Sequence, residues 1–110
     1  MFEMAKMLGR LSEVKDRVKA IKAELATHEI PYEDPENGIQ IVMSGNKDVR
    51  AIHLGEHARA MAPQDQERAL VKALNAATDQ SRSYAKEALQ KRLNEEFPSV
   101  AGLDLSKYLD

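Results

Sequence analysis

Three histidines, His28, His53 and His57, are the first residues to test for reactive chemistry. His53 and His57 stand four apart, a spacing that lets two imidazoles share a metal from one helix face if a third ligand joins them. Here the pair straddles the end of a strand-like run, so ordinary strand or surface histidines are expected and no metal site. The chain has no Cys, which excludes a disulfide scaffold, a thiolate metal site and a thiol nucleophile. Ser44-Gly45 lacks the flanking pattern of a nucleophile elbow. Gly45 and Gly55 form no phosphate-cradling Gly-rich loop. Carboxylates are plentiful, but none sits in an apolar run that would raise its pKa for acid–base work. Tyr32, Tyr84 and Tyr108 are isolated, and Tyr84 reads as a core residue of a helix rather than a base-stacking platform. With no reactive constellation, an enzyme is not expected, nor a cofactor or a small-molecule substrate.

The chemistry left is that of charge. The 110 residues hold 16 Lys+Arg and 18 Asp+Glu, a formal net charge of −2 that gives no general reason to expect a phosphate-binding protein. Divided by segment, the balance is uneven. Residues 1–26 carry six basic and four acidic side chains, residues 27–62 three and six, and residues 63–97 six of each. The basic excess lies in Lys6, Arg10, Lys15, Arg17, Lys19 and Lys22.

Those cations sit on an element with a clear period. Met4, Met7, Leu11, Val14, Val18, Ile21 and Leu25 repeat at alternating spacings of three and four, a heptad seam along a helix of roughly 36 Å. Met4 and Met7 therefore read as core filler. In a parallel self-paired coil, Arg10 would face Lys15 and Arg17 would face Lys22, so the charges oppose that pairing. Two readings stay open. The seam packs on the second helix, where Asp79, Glu87, Glu95 and Glu96 balance its flanks, or the basic flank is left for an anionic partner such as DNA phosphates.

The middle of the chain reads as strands. Thr27–Glu33 is a weak one that Pro31 confines to an edge or breaks. Asp34-Pro35-Glu36-Asn37-Gly38 is a turn, and Ile39–Met43 follows with Ile39, Ile41 and Met43 on one face. Ser44-Gly45-Asn46-Lys47 is a second turn, then Val49–Leu54 a third strand. Runs this close can pair only as antiparallel neighbours. Gly55–Ala62 is a connector. Pro63 opens a second long helix that Pro98 stops, with Leu70, Leu74, Ala77, Ser81, Tyr84 and Ala88 as its expected stripe, continued by Leu89, Leu93 and Phe97.

The expected fold class is α+β, an α-β-β-β-α protomer with a small antiparallel sheet flanked by two long helices. One domain spans residues 1–97, and the apolar tail, 98–110, is expected to dock, as a short helix. Two helices cannot cover both sheet faces and their own stripes, so a homodimer is expected. No run approaches 18 apolar residues, and the first ten residues lack a signal-peptide core, so neither a membrane span nor a secretory leader is expected.

The pattern as a whole resembles the YbaB/EbfC family of bacterial nucleoid-associated proteins over about 97 residues. The resemblance rests on Met1-Phe2 and Met4 to Leu8 leading into the heptad helix, on Gly38 feeding strand Ile39–Met43, and on Ser44-Gly45-Asn46 before Val49–Leu54. It rests most on the run Leu70-Val71-Lys72-Ala73-Leu74-Asn75-Ala76-Ala77. Pro31, Pro35 and the foldable tail depart from the family's pattern. The resemblance implies a cytoplasmic, nucleoid-located homodimer, tweezer-like with projecting helices, that binds double-stranded DNA with low sequence selectivity and needs no cofactor. It implies DNA contacts from Lys6, Arg10, Lys15, Arg17, Lys19 and Lys22, with Lys72 a lesser candidate. The other function compatible with the seam is a protein-interaction module gripping an amphipathic partner helix.

Overall fold

The computed structural model describes residues 2–97, with side chains from residue 9 onward. The elements are α1 (Phe2–Leu25), β1 (Glu29–Asp34), β2 (Ile39–Ser44), β3 (Val49–Leu54), α2 (Glu56–Ala60) and α3 (Pro63–Glu96). This is the α+β order read from the sequence, with one addition. The segment read as a plain connector contains the single turn α2, whose Ala58 is fully buried under the sheet cluster. The docked helix expected at 98–110 lies outside the described residues, as do the side chains of Met4, Lys6 and Met7.

The sheet is antiparallel in the order β1-β2-β3. Pro31 lies on the edge strand β1, opposite Val42, where its missing N–H leaves no gap in a central ladder. Gly38 adopts φ 70° in the first turn and its N–H donates to Asp34 O at 2.8 Å. Ile39, Ile41 and Met43 share one face of β2 and are buried against α3. Ile52 and Leu54 pair with Ile41 and Ile39 and share that face, yet Ile52 is 45% exposed. The reason is that α3 lies mainly over β2 and β1, so that on β3 Leu54 is half-buried against the sheet cluster while Ile52 stays open.

Helix α3 is the spine. Its 34 residues span about 51 Å of a molecule 67 × 20 × 16 Å in extent. Its buried ridge is Ala69, Ala73, Ala77, Ser81, Ala85, Leu89 and Leu93, a step of four throughout. Each such step advances about 40° around the axis. The ridge therefore turns as it climbs. Ala69, Ala73 and Ala77 face the sheet, whereas Ala85, Leu89 and Leu93 face Val14, Val18, Ile21 and Leu25 of α1. The stripe read from the sequence holds at Ala77, Ser81, Leu89 and Leu93 and is corrected by one position at Leu70, Leu74, Tyr84 and Ala88. Leu70, Leu74 and Ala88 are only half-buried, and Tyr84 is exposed, its hydroxyl hydrogen-bonded to His28 Nδ1 at 3.1 Å. Alanine wins the central line because its short side chain lets backbones approach closely, and the larger leucines then fill the flanks.

At the changeover, Ser81 is buried and its hydroxyl donates to Ser44 O at 2.7 Å. The same turn meets the end of α1: Gly45 N–H donates to Leu25 O at 3.0 Å. Arg50 completes the cap, its guanidinium donating to Ala26 O at 2.8 Å. Helix ends leave carbonyls without partners and carry partial negative charge, and these two donors answer both needs.

Candidate nucleic-acid interface

Helix α1 runs antiparallel to the second half of α3, and cross-helix ion pairs fix the register. Arg17 Nη2 meets Glu96 Oε1 at 2.9 Å, and Arg92 Nη1 meets Glu24 Oε2 at 2.8 Å. The Arg92 hydrogen bond, and after it the Arg92 charge, hold the Glu24 carboxyl below its ordinary range. A lowered carboxyl pKa stabilises the fold above the unfolded-state value and loses that contribution as pH falls through the folded one. The pair is exposed, so the effect is small.

These ion pairs occupy one side of the helix pair. Lys15, Lys19 and Lys22 occupy the other, since steps of four and three keep them on one flank and Arg17 falls nearly opposite. Lys15 and Lys19 are exposed and make no ion pair with a described acid. Lys22 is half-buried and lines a cleft together with Arg82 of α3 and Lys47 of the β2–β3 turn. Lys86 stands one turn beyond Arg82 on α3 and is exposed. One side of the arm is thus neutralised and the other is a lysine ridge.

The remaining expected residues are dispersed. Arg10 is exposed on α1, and Lys6 has its side chain outside the described residues. Lys72 is exposed on the sheet half of α3, beside Glu67, Arg68, Val71 and Asn75. It lies roughly 20 Å along the helix from Ala85, where contact with α1 begins. Lys47, Arg82 and Lys86 were not singled out in the sequence, because only the tertiary packing of the turn and α3 beside α1 brings them to the ridge.

His53 on β3 and His57 on α2 are both exposed. No described helix is long and apolar enough to cross a membrane. No curated protein matches the chain. The YbaB/EbfC DNA-binding family matches residues 1–96, which takes in every element from α1 to α3. The helix, three-stranded antiparallel sheet and long second helix fit that match, and the chain belongs to the YbaB/EbfC DNA-binding family.

Proposed function

We propose that the protein is a dimeric, nucleoid-associated DNA-binding protein of low sequence selectivity that grips phosphates through α1. The observation that carries this reading is the ridge of Lys15, Lys19 and Lys22, set on the side of the arm away from the Glu24–Arg92 and Arg17–Glu96 pairs. Arg10 and Lys6 extend the basic character toward the helix N-terminus. Arg17 contributes less because it shares its charge with Glu96, and Lys72 less because it stands on the sheet half. Backbone contacts of this kind position a protein on DNA without reading its bases. Titrating fluorescent duplex DNA at two salt concentrations is the test. Four to six phosphate contacts across a dimer give a slope of log K against log salt of about −4 to −5. Binding that is indifferent to salt, or absent at low salt, excludes the mechanism.

The dimer rests on β3. This strand is an open edge with Val49 47% and Ile52 45% exposed, and such an edge is a template for another strand. Leu70 and Leu74, half-buried on the flank of α3 nearer β3, widen the apolar shelf. A second copy related by a two-fold axis pairs β3 with β3 and covers both shelves. Sedimentation at micromolar concentration should return a dimer mass for the wild type and a monomer mass for Ile52→Lys, because an edge lysine blocks strand pairing. A monomeric wild type refutes the dimer, and a dimeric Ile52→Lys moves its interface elsewhere.

A further inference from the structure

Helix α1 is longer than the stretch of it that α3 covers. Arg17 meets Glu96 at 2.9 Å and Glu24 meets Arg92 at 2.8 Å, so α3 ends level with the middle of α1. From Val14 back to Phe2, α1 reaches about 18 Å further at 1.5 Å per residue. The seam goes on over that overhang, through Leu11, Met7 and Met4 in the sequence. Val14 is buried, whereas Leu11, the next seam position outward, is 41% exposed. We propose that residues 98–110 of the same chain run along this overhang and cover its seam.

The chain leaves α3 at the right place and in the right direction. Because the two helices are antiparallel, α3 points toward Phe2 as it ends. Phe97 packs against the cluster that holds Val14 and Val18 of α1. It departs from helical geometry at φ −134°, ψ 71°, while its N–H still donates to Leu93 O at 2.7 Å. Pro98 cannot extend that ladder but suits the first turn of a new helix. Residues 98–110 reach about 20 Å as a helix, close to the length of the overhang. Carried on at the same rise, the register of the two ion pairs would set Leu103 and Leu105 beside Leu11, and Tyr108 and Leu109 beside Met7 and Met4.

The segment has the composition to fill the place. Val100, Leu103, Leu105, Tyr108 and Leu109 are large apolar side chains. Leu105, Tyr108 and Leu109 fall at i, i+3 and i+4, the spacing of one helix face, with Ala101 a turn before them. The tether favours this segment over a second copy. Joined directly to Phe97, it faces the seam at an effective concentration on the order of millimolar. A second α1 laid parallel would instead set Arg10 against Lys15 beside the seam. The tail brings Asp104 and Asp110 with Lys107, so it adds no excess of positive charge there. An amphipathic helix from another protein reaches the seam only by displacing this segment.

The sequence has no Cys, so one introduced thiol is a unique labelling site. The isotope-labelled full chain carrying a nitroxide at Lys107→Cys should show broadened amide signals at Met7, Leu8 and Leu11. The signals of Gln40 and Ile41 on the sheet should stay sharp. The broadening should persist when these chains are co-refolded with an excess of chains that carry neither label. Its loss on dilution assigns the cover to a second copy and overturns the proposal.

Adding Leu103→Asp/Leu105→Asp to the spin-labelled chain should abolish the broadening. The signals of Val18 to Leu25 should keep their positions, since the covered half of α1 is packed on α3. No broadening at Met7 to Leu11 before the double substitution, or broadening that survives it, also overturns the proposal.

Discussion

Gly45→Ala should destabilise the protein by on the order of 3 kcal/mol. A Cβ on Gly45 would stand 2.3 Å from Leu25 O and 2.8 Å from Leu25 C, both backbone atoms at the end of α1. The neighbour cannot swing away as a side-chain tip would. Either the turn or the last residue of α1 must shift, and the Gly45 N–H bond to Leu25 O lengthens in the process. Overpacking costs about 1–3 kcal/mol, and loss of the hydrogen bond adds about 0.5–1.5 kcal/mol. For a domain of this size the melting temperature should drop roughly 10–20 °C. Gly9→Ala is the control. Gly9 lies exposed in α1 with nothing within 4 Å of an added Cβ, so the same substitution should stabilise by up to about 1 kcal/mol through helix propensity. Thermal melts of the two variants should therefore move in opposite directions. A Gly45→Ala melt equal to the wild type would falsify the close approach of turn and helix.

The second large effect belongs to the ridge. Lys15→Gln/Lys19→Gln removes two charges from each chain, four in the proposed dimer, without disturbing an ion pair or a buried contact among the described residues. If two to four of those charges meet phosphates, the salt slope falls by about 2–4. Affinity at 0.1 M salt then falls by roughly 10² to 10⁴. Arg17→Gln should cost less than either lysine, because Glu96 already screens Arg17 and keeps Arg92 as a partner after the change. Stability should stay near that of the wild type for the lysine variant. Fluorescence titration and a denaturant melt on the same samples check both halves. Undiminished affinity in Lys15→Gln/Lys19→Gln removes the ridge from the interface.

The element order, both strand turns and the α1 seam were legible because each is written in local spacing. Val14, Val18, Ile21 and Leu25 are buried where the heptad put them. Leu11 fits the same heptad yet is 41% exposed, because α3 ends at Glu96 and its register with α1 leaves Leu11 beyond that end. A period tells which face is apolar, not how far its partner reaches. Of the expected α3 stripe, Ala77, Ser81, Leu89 and Leu93 are buried, whereas at Leu70, Leu74, Tyr84 and Ala88 the buried line runs one position away, through Ala69, Ala73, Ala85 and Leu89. The single turn α2 escaped notice because five residues are too few to show a period. The candidate site divides the same way. The α1 cations could be read from one helix, whereas Lys47 and Arg82 stand 35 residues apart in sequence and meet only through the Ser44–Ser81 and Gly45–Leu25 bonds.

The antiparallel docking of α1 on the far half of α3 also orders events during synthesis. Arg17 and Glu96 are 79 residues apart. At ribosomal speeds of about 5–20 residues per second, the apolar seam of α1 waits roughly 4–16 s for its cover. The three strands, joined by short turns, can pair well before then. The seam is thus made first and covered last, and neighbouring nascent chains present identical seams to one another. Arg10, Lys15, Arg17 and Lys22 would then face like charges in any parallel seam-to-seam pairing. Like-charge repulsion among these cations opposes the pairing of unfinished copies until α3 arrives.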